Sequence, residues 1–408
     1  MALKLPNDRL SDIEESLREL EQLAITAGAE VVDKIIQERD KPHPRTFIGP
    51  GKAQEIQNVA NNLGVNLVPF NHDLSPSQQR NLEDIISCKI LDRTALILDI
   101  FAQRAHSREG ALQVELAQGV YLLPRLKGRG IELSRLGGGI GTRGPGETKL
   151  EVDRRRIQQR ISHLRKDLEH IRKSRLTQRK KRKKTGVFTV SMVGYTNAGK
   201  STLLNTLTHA DVFVENKLFA TLDPTTRRLV LPNKQTVVIS DIVGFIKNLP
   251  HQLIAAFGST LDSIREADLL LHIVDVSHPN FREQMKAVEE VMSEIGVAEK
   301  NRVNLFNKVD RVSEIEIARL KREFPKGIFV SALKGENIED LINEIKDRAS
   351  KGLIRVHLYI PVDKRRLLER IYANGAVVQE REFSHGVSLV VDLPRYMLSE
   401  VEELQKAK

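Results

Sequence analysis

The chain has little of what builds a covalent or metal-stapled scaffold. Its one cysteine, Cys88, rules out an intramolecular disulfide. It also leaves no Cys-based zinc or iron–sulfur ligand set. That suits a reducing compartment. No run approaches the ~18 uncharged apolar residues of a membrane helix, so none is expected. Met1 to Pro6 lack an apolar h-region, and Asp8, Asp12, Glu14 and Glu15 follow closely. A secretory signal is therefore not expected, and a soluble, cytoplasmic protein is. What is present is 408 residues, 40% of them hydrophobic. At roughly 100–200 residues per domain this predicts two to four domains with real cores.

The charge is unevenly placed. The formal net charge is +10. Arg154 to Lys184 hold fifteen Lys or Arg against two acids, Asp167 and Glu169. That one segment carries +13, and the remainder of the chain is slightly acidic. Basic density of this kind suits a phosphate-rich partner, because each neutralised phosphate releases counterions. A merely solvated helix would not need one sign so concentrated.

Hydrophobic spacing divides the chain into four regions. In residues 1–105, Leu10, Ile13, Leu17, Leu20 and Leu23 recur at helical spacing. Val31, Val32, Ile35 and Ile36 read as a strand, Gly49-Pro50-Gly51 as a turn and Val65–Val68 as a short strand. Ser75-Pro76 opens a further helix in the order that capping favours. Strands alternating with helices predict an N-terminal α/β domain with a mostly parallel sheet. Cys88 reads as a buried core residue. In residues 106–184, a helix near 108–123 precedes a glycine-dense string, Gly137 to Gly146. Ile157, Ile161, Leu164, Leu168 and Ile171 then repeat at 4-3-4-3 spacing, a coiled-coil seam that needs a partner. An antiparallel helical hairpin with the glycine loop at its tip is expected. Residues 185–350 predict a second α/β domain. Residues 351–408 read strand, helix, strand, strand, a small C-terminal α+β module.

The chemistry lies in residues 185–350. Gly194-Tyr195-Thr196-Asn197-Ala198-Gly199-Lys200-Ser201 fits GxxxxGK[ST], follows an apolar strand, and runs through Thr202 into a helix bearing Leu203, Leu204 and Leu207. Backbone amides and the helix N-terminus of such a loop cradle phosphates. Lys200 is expected to reach the β and γ phosphates, and Ser201 to ligate magnesium. Asp241-Ile242-Val243-Gly244 follows a strand. Asp241 is expected to hold magnesium through water, and the Gly244 amide to sense the γ-phosphate. Asn307-Lys308-Val309-Asp310 follows another strand. A carboxylate at Asp310 accepts both the N1–H and the exocyclic amine of guanine, a pair that adenine lacks. Ser331-Ala332-Leu333 is expected to close over the base. Four motifs in this order, each at the carboxyl end of a predicted strand, imply a multidomain P-loop GTPase. Thr221, Thr225 and Thr226 all qualify as the switch threonine that completes the magnesium site; Thr221 is expected because Phe219-Ala220-Thr221-Leu222 resembles the corresponding string of related GTPases, with Thr225 as the alternative. Phe245 stands where small Ras-like switches carry a water-positioning glutamine. Slow intrinsic hydrolysis is therefore expected, with the missing function supplied from elsewhere. Asn197 stands where similar, potassium-using GTPases carry an ion-coordinating asparagine, which implies a potassium ion near the β–γ bridge.

The string from Gly137 to Glu151, followed by Asp153-Arg154-Arg155, resembles the HflX family of ribosome-associated GTPases. So do Ile48 to Lys52, Leu74 to Glu83 and Phe219 to Thr225. The resemblance spans residues 10–393. It implies that the N-terminal domain and hairpin contact RNA of the large ribosomal subunit. It also implies that the glycine loop reaches toward the peptidyl transferase centre, that the GTP form splits stalled or idle ribosomes under stress, and that the ribosome stimulates hydrolysis. Arg143, Lys149, Arg154, Arg155 and Arg156 are the candidate RNA contacts, through shape and phosphate rather than base identity. Two positions depart from the family pattern: Ile242 stands where threonine is commoner, and Lys149 where glutamine is frequent. The rival readings are an RNA-remodelling enzyme and a non-ribosomal regulatory switch.

Overall fold

A computed structural model describes residues 1–126, 145–185, 187–208, 217–247, 258–394, 397, 398 and 401. Its contacts divide the chain into two compact units. One holds Met1–Ile171 and Lys217–Ala220. The other begins at Arg172 and includes Thr221–Lys247 and Gly258–Lys408.

In the first unit, β1 (Ala2–Lys4) pairs in parallel with β2 (Ile36–Glu38), and β3 (Leu67–Pro69) with β4 (Lys89–Leu91). The expected parallel sheet is thus present as two parallel pairs. Met1 lies against both: its amine donates to the Pro69 carbonyl at 2.9 Å, and its own carbonyl accepts from Asn71 N–H at 2.9 Å. Helices α1 (Leu10–Thr26), α2 (Pro50–Leu63), α3 (Pro76–Ile86) and α4 (Arg93–Arg104) alternate with these strands. Leu3, Ile48, Ile56, Phe70, Leu82 and Ile90 form the core between them.

Three local expectations need correction. The strand expected from Val31 begins only at Ile36, where pairing to β1 starts. Gly49-Pro50-Gly51 is a helix start rather than a turn. Gly49 caps α2 in an extended conformation and Pro50 takes the first turn, where its missing N–H costs nothing. Cys88 is half-buried, its thiol 3.1 Å from the Val65 carbonyl. Ser75 does form the expected cap, as a reciprocal capping box with Gln78.

Helices α5 (Arg108–Leu122) and α6 (Pro145–Thr185) pack through the expected seam. Leu116, Ile161 and Leu164 are buried there, flanked by Leu112, Val120, Leu123, Ile157 and Leu168. A side chain at 119 would come within 3.1 Å of Ile161, so Gly119 lets the helices close. Arg160 grips Glu115 with two hydrogen bonds, at 2.6 and 2.7 Å. Pro145 and Gly146, expected in the glycine loop, instead open α6, again because proline suits a first helical turn. The rest of that loop, with Arg143, lies outside the described residues, as does the side chain of Lys149. Helix α6 runs on through the basic run to Thr185.

The second unit is built on a six-stranded sheet. Its strands are β5 (Thr189–Gly194), β6 (Thr225–Val230), β7 (Thr236–Asp241), β8 (Leu269–Asp275), β9 (Arg302–Asn307) and β10 (Ile328–Phe329). The order is β10-β9-β8-β5-β7-β6, all pairs parallel except β6 with β7. Buried on both faces, β8 reads as a continuous apolar run. Helices α7 (Lys200–Thr208), α8 (Gly258–Glu266), α9 (Phe281–Glu294), α10 (Glu314–Glu323) and α11 (Ile338–Ala349) connect the strands. Because β5, β7, β8 and β9 run parallel, the loops after them lie at one edge of the sheet. The C-terminal module follows the expected order closely. It comprises β11 (Ile354–Pro361), α12 (Arg365–Asn374), β12 (Ala376–Phe383) and β13 (Gly386–Leu393), with sheet order β11-β13-β12. It docks on the β6–β7 turn: Val377 N–H donates to the Asn233 carbonyl at 2.9 Å, and Lys234 pairs with Glu380.

His272 sits in the middle of β8, 1% exposed. Burial, aided by Arg302, lowers its pKa from 6.5 to about 4. The folded protein therefore holds the neutral ring, while the unfolded chain takes up a proton below pH 6.5. The stability tied to this group is complete above that pH and is lost as the pH falls toward 4, by up to about 3 kcal/mol. The melting temperature should drop between pH 7 and 4.5, and His272→Leu should flatten that drop. Parallel pH profiles for the two proteins would disprove the assignment.

Candidate nucleotide site

The glycine-rich loop between β5 and α7 is shaped by close backbone contacts. A Cβ at 194 would lie 2.3 Å from the Ile273 carbonyl of β8, so only glycine fits there. Gly199 has φ +94°, and a Cβ on it would strike the Asn307 amide at 2.3 Å. Asn197 also takes a left-handed conformation, φ 60°, which asparagine tolerates better than most residues. The loop is tied to the segment after β7. Thr196 N–H donates to the Phe245 carbonyl at 2.7 Å, and Phe245 N–H to the Gly194 carbonyl at 3.0 Å. The Tyr195 hydroxyl accepts from Lys247 N–H at 2.8 Å. Gly244 lies so close that a Cβ would sit 2.6 Å from Thr196 Cα and 2.8 Å from Lys200 Nζ.

Lys200 is buried, and its ammonium donates to the Tyr195 and Gly194 carbonyls, at 2.9 and 3.4 Å. Burial lowers its pKa to about 8, opposed by the Asp241 charge. Asp241 is fully buried, and that burial raises its pKa. Its Oδ2 accepts from Ser201 at 2.6 Å and from Thr221 at 3.4 Å, and the two hydroxyls are 2.8 Å apart. Asp241 Oδ1 has no hydrogen-bond partner although it is buried. An orphaned carboxylate oxygen beside two hydroxyls is a hard oxygen donor set of the kind magnesium takes. Of the three candidate switch threonines, only Thr221 joins this cluster. Thr225 lies in β6 opposite Asp241, and Thr226 bonds Ser240 at 3.1 Å.

The base-side motifs interlock through Asn307, which is 2% exposed. Its amide Nδ2 donates to the Ala198 carbonyl at 2.9 Å, and its Oδ1 accepts from Ala332 N–H at 3.0 Å. Lys308 reaches the Asn197 carbonyl at 2.9 Å. Asp310 accepts from the Ser331 hydroxyl at 2.6 Å, while Leu333 stays exposed. Thr202 lies in the first turn of α7. The nucleotide-site residues named from the sequence thus fall along one edge of the sheet. Two supporting residues escaped the motif reading. Asp275, at the end of β8, pairs with Lys308 at 2.6 Å and sets its direction. Thr206 anchors the Ala332 carbonyl at 2.7 Å. The signal for Asp275 was its place at a strand's carboxyl end. Thr206 left none, since its partner is distant in sequence. Phe245 is buried at 1% exposure. Just before Thr221, the Phe219 ring packs within the first unit, edge-on to Phe101 at 4.7 Å.

This fold and loop set define a P-loop GTPase. Residues 14–102 match the family described as GTP-binding GTPase N-terminal, and 104–182 the GTP-binding GTPase middle region. Residues 189–308 match the 50S ribosome-binding GTPase family, and 317–407 the HflX C-terminal domain. GTPase HflX of Caldanaerobacter subterraneus is 48% identical over 93% of this chain and 88% of its own length. GTPase HflX of Escherichia coli is 44% identical over 93% of this chain and 90% of its own. A GTP-binding protein of Sulfolobus solfataricus, solved with GDP, is similar at 25% identity and TM-score 0.45, over 86% of this chain and 98% of that one. The chain belongs to the HflX family of GTPases, and its nucleotide domain is of the ribosome-associated kind.

Removing the Asn307 side chain should loosen the phosphate loop and the base loop together, because it orphans the Ala332 amide and frees the Ala198 carbonyl. Asn307→Ala is expected to weaken GDP binding at least a hundredfold, from two lost buried hydrogen bonds at about 1–3 kcal/mol each. Titration with a fluorescent GDP analogue checks this. A loss below threefold would show that the loops hold themselves.

Proposed function

We propose that this GTPase binds the large ribosomal subunit in its GTP state and dissociates stalled or idle ribosomes, with hydrolysis stimulated by the ribosome. The observation that carries the reading is the pairing of the Ser201–Thr221–Asp241 cluster with the +13 segment of α6. The first can report the nucleotide state, and the second suits an RNA partner. The match to the 50S ribosome-binding GTPase family supports the choice of subunit.

The residues take these roles. Amides of the loop Gly194 to Gly199 cradle the phosphates, and the Lys200 ammonium turns from the Tyr195 carbonyl to the β and γ oxygens. Negative phosphates then favour the charged form that burial alone disfavours. Ser201, Thr221 and Asp241 would hold magnesium, with Asp241 Oδ1 the oxygen left open for a bound water. When bound there, magnesium would neutralise phosphate charge. The Gly244 amide senses the γ-phosphate, which no side chain at that position would allow. Asp310 turns from Ser331 to the guanine edge, while Lys308 and the Ser331–Leu333 segment flank the ring. Phe245 offers no polar group to orient water, so intrinsic hydrolysis is slow and the partner completes the site. Potassium beside Asn197 would supply a further positive charge.

GTP turnover should rise strongly on adding purified large ribosomal subunits at fixed salt, and Lys200→Ala should abolish the rise. No stimulation by subunits, together with stimulation by free structured RNA, would favour an RNA-remodelling enzyme instead. Turnover should also be faster in potassium than in sodium salts, and equal rates would remove the potassium role. Asp310→Asn exchanges an acceptor for a donor. It should weaken GTP by about a hundredfold or more and gain xanthosine triphosphate, whose C2 carbonyl matches the new donor. Unchanged GTP affinity in this variant would refute the base contact.

A further inference from the structure

Strand β7 pairs with β5 as far as Asp241, which lies opposite Met192. The two chains meet again beyond the strands, at an isolated parallel bridge between Tyr195 and Phe245. Between these points three residues, Ile242 to Gly244, face two, Val193 and Gly194, so the longer side must bow out. Both backbone groups of Phe245 are used at the bridge. Its N–H donates to the Gly194 carbonyl at 3.0 Å, and its carbonyl accepts from Thr196 N–H at 2.7 Å. Two residues on, the Lys247 N–H faces the same side. A continuing parallel ladder would offer it the Thr196 carbonyl. The chain instead turns into the phosphate loop, where Asn197 is left-handed at φ 60°. The Tyr195 hydroxyl stands in for that carbonyl and accepts from Lys247 N–H at 2.8 Å. Tyr195 is 6% exposed, so the bond is shielded from water. The Lys247 side chain also pairs with Glu283 at 3.4 Å, but both groups are exposed and such a pair contributes little.

These ties hold Gly244 from both sides. A Cβ on it would lie 2.6 Å from Thr196 Cα and 2.8 Å from the Lys200 ammonium. Its backbone thus stands beside the cation that takes the γ-phosphate. Thr221 is drawn to the same place, its hydroxyl 2.8 Å from that of Ser201 and bonded to Asp241. The groups that answer to GTP are therefore gathered in one arrangement, and the Tyr195–Lys247 bond helps to hold it. GDP has no γ-phosphate and needs nothing from the Gly244 amide. A bond that keeps Gly244 in place stabilises the GTP complex and leaves the GDP complex nearly unaffected.

We propose that Tyr195 is a positioning residue for the γ-phosphate: its hydroxyl, through Lys247 N–H, keeps the Gly244 amide where GTP requires it. Tyr195 then has two separable parts. Its backbone belongs to the phosphate loop and serves both nucleotides, while its side chain discriminates between them. The proposal rests on the reading of Gly244 as the γ-phosphate sensor and deepens it.

Competition against a fluorescent GDP analogue, using GDP and a non-hydrolysable GTP analogue with magnesium, tests this on the full-length chain. Tyr195→Phe keeps the ring and removes the acceptor. It should weaken the GTP analogue about fivefold or more while changing GDP by no more than about twofold. Retained GDP binding also shows that the variant is folded. Equal weakening of both nucleotides would make the bond merely structural and overturn the proposal. Unchanged affinities, or tighter binding of the GTP analogue, would overturn it too. Gly244→Ala controls the reading beneath and should weaken the GTP analogue selectively. If it does so and Tyr195→Phe does not, the sensor reading stands and this proposal alone falls. If Gly244→Ala shows no such selectivity, the sensor reading fails and takes the proposal with it.

Discussion

The nucleotide site depends on the side-chain amide of one buried asparagine. Asn307 donates to the Ala198 carbonyl in the phosphate loop and accepts from the Ala332 amide in the base loop. The two loops are more than a hundred residues apart in sequence. One planar amide, held at the end of a central strand, sets their separation. The left-handed Gly199 beside it leaves room for that amide, and Thr206 holds the far side of the base loop. A nucleotide must fit the gap this bridge defines. The segment after β7 is tied to the same loop by backbone bonds on either side of Phe245, so three motifs share one frame.

Against that frame, the phosphate end stores electrostatic imbalance. Lys200 and Asp241 are both buried, and burial disfavours both charges. Lys200 rests on backbone carbonyls, while Asp241 leaves one oxygen without a partner. A polyphosphate with a divalent cation supplies the opposite charge that each lacks. Phe245, just after Gly244, is buried. The residues before Thr221 divide their loyalties: Phe219 packs with Phe101 in the first unit, and Thr221 bonds to Ser201 in the second.

Much was legible in advance because its physics is local. The phosphate loop, the strand-end motifs and the C-terminal order of elements follow from glycine geometry, apolar runs and alternation. The seam of Ile157, Ile161, Leu164 and Leu168 announced a helical partner by its spacing alone, and α5 supplies it. The errors were also local in kind. Gly49-Pro50-Gly51 looks like a turn, yet the same residues suit the first turn of a helix. The strand expected from Val31 starts late, because pairing with β1 and not side-chain type decides where a short strand begins.

By itself the sequence determined the class of chemistry, the positions of the phosphate and base motifs, and the concentration of positive charge in one helix. These depend on residue type at fixed spacing. Tertiary structure brought the expected Thr221, and neither alternative, to the Asp241 carboxylate by a hydrogen bond. It also recruited Asp275 and Thr206 as supports, and set the Tyr195 hydroxyl on the Lys247 amide. Those facts are distances between residues far apart in the chain, and strand register and crossover, not spacing, determine them.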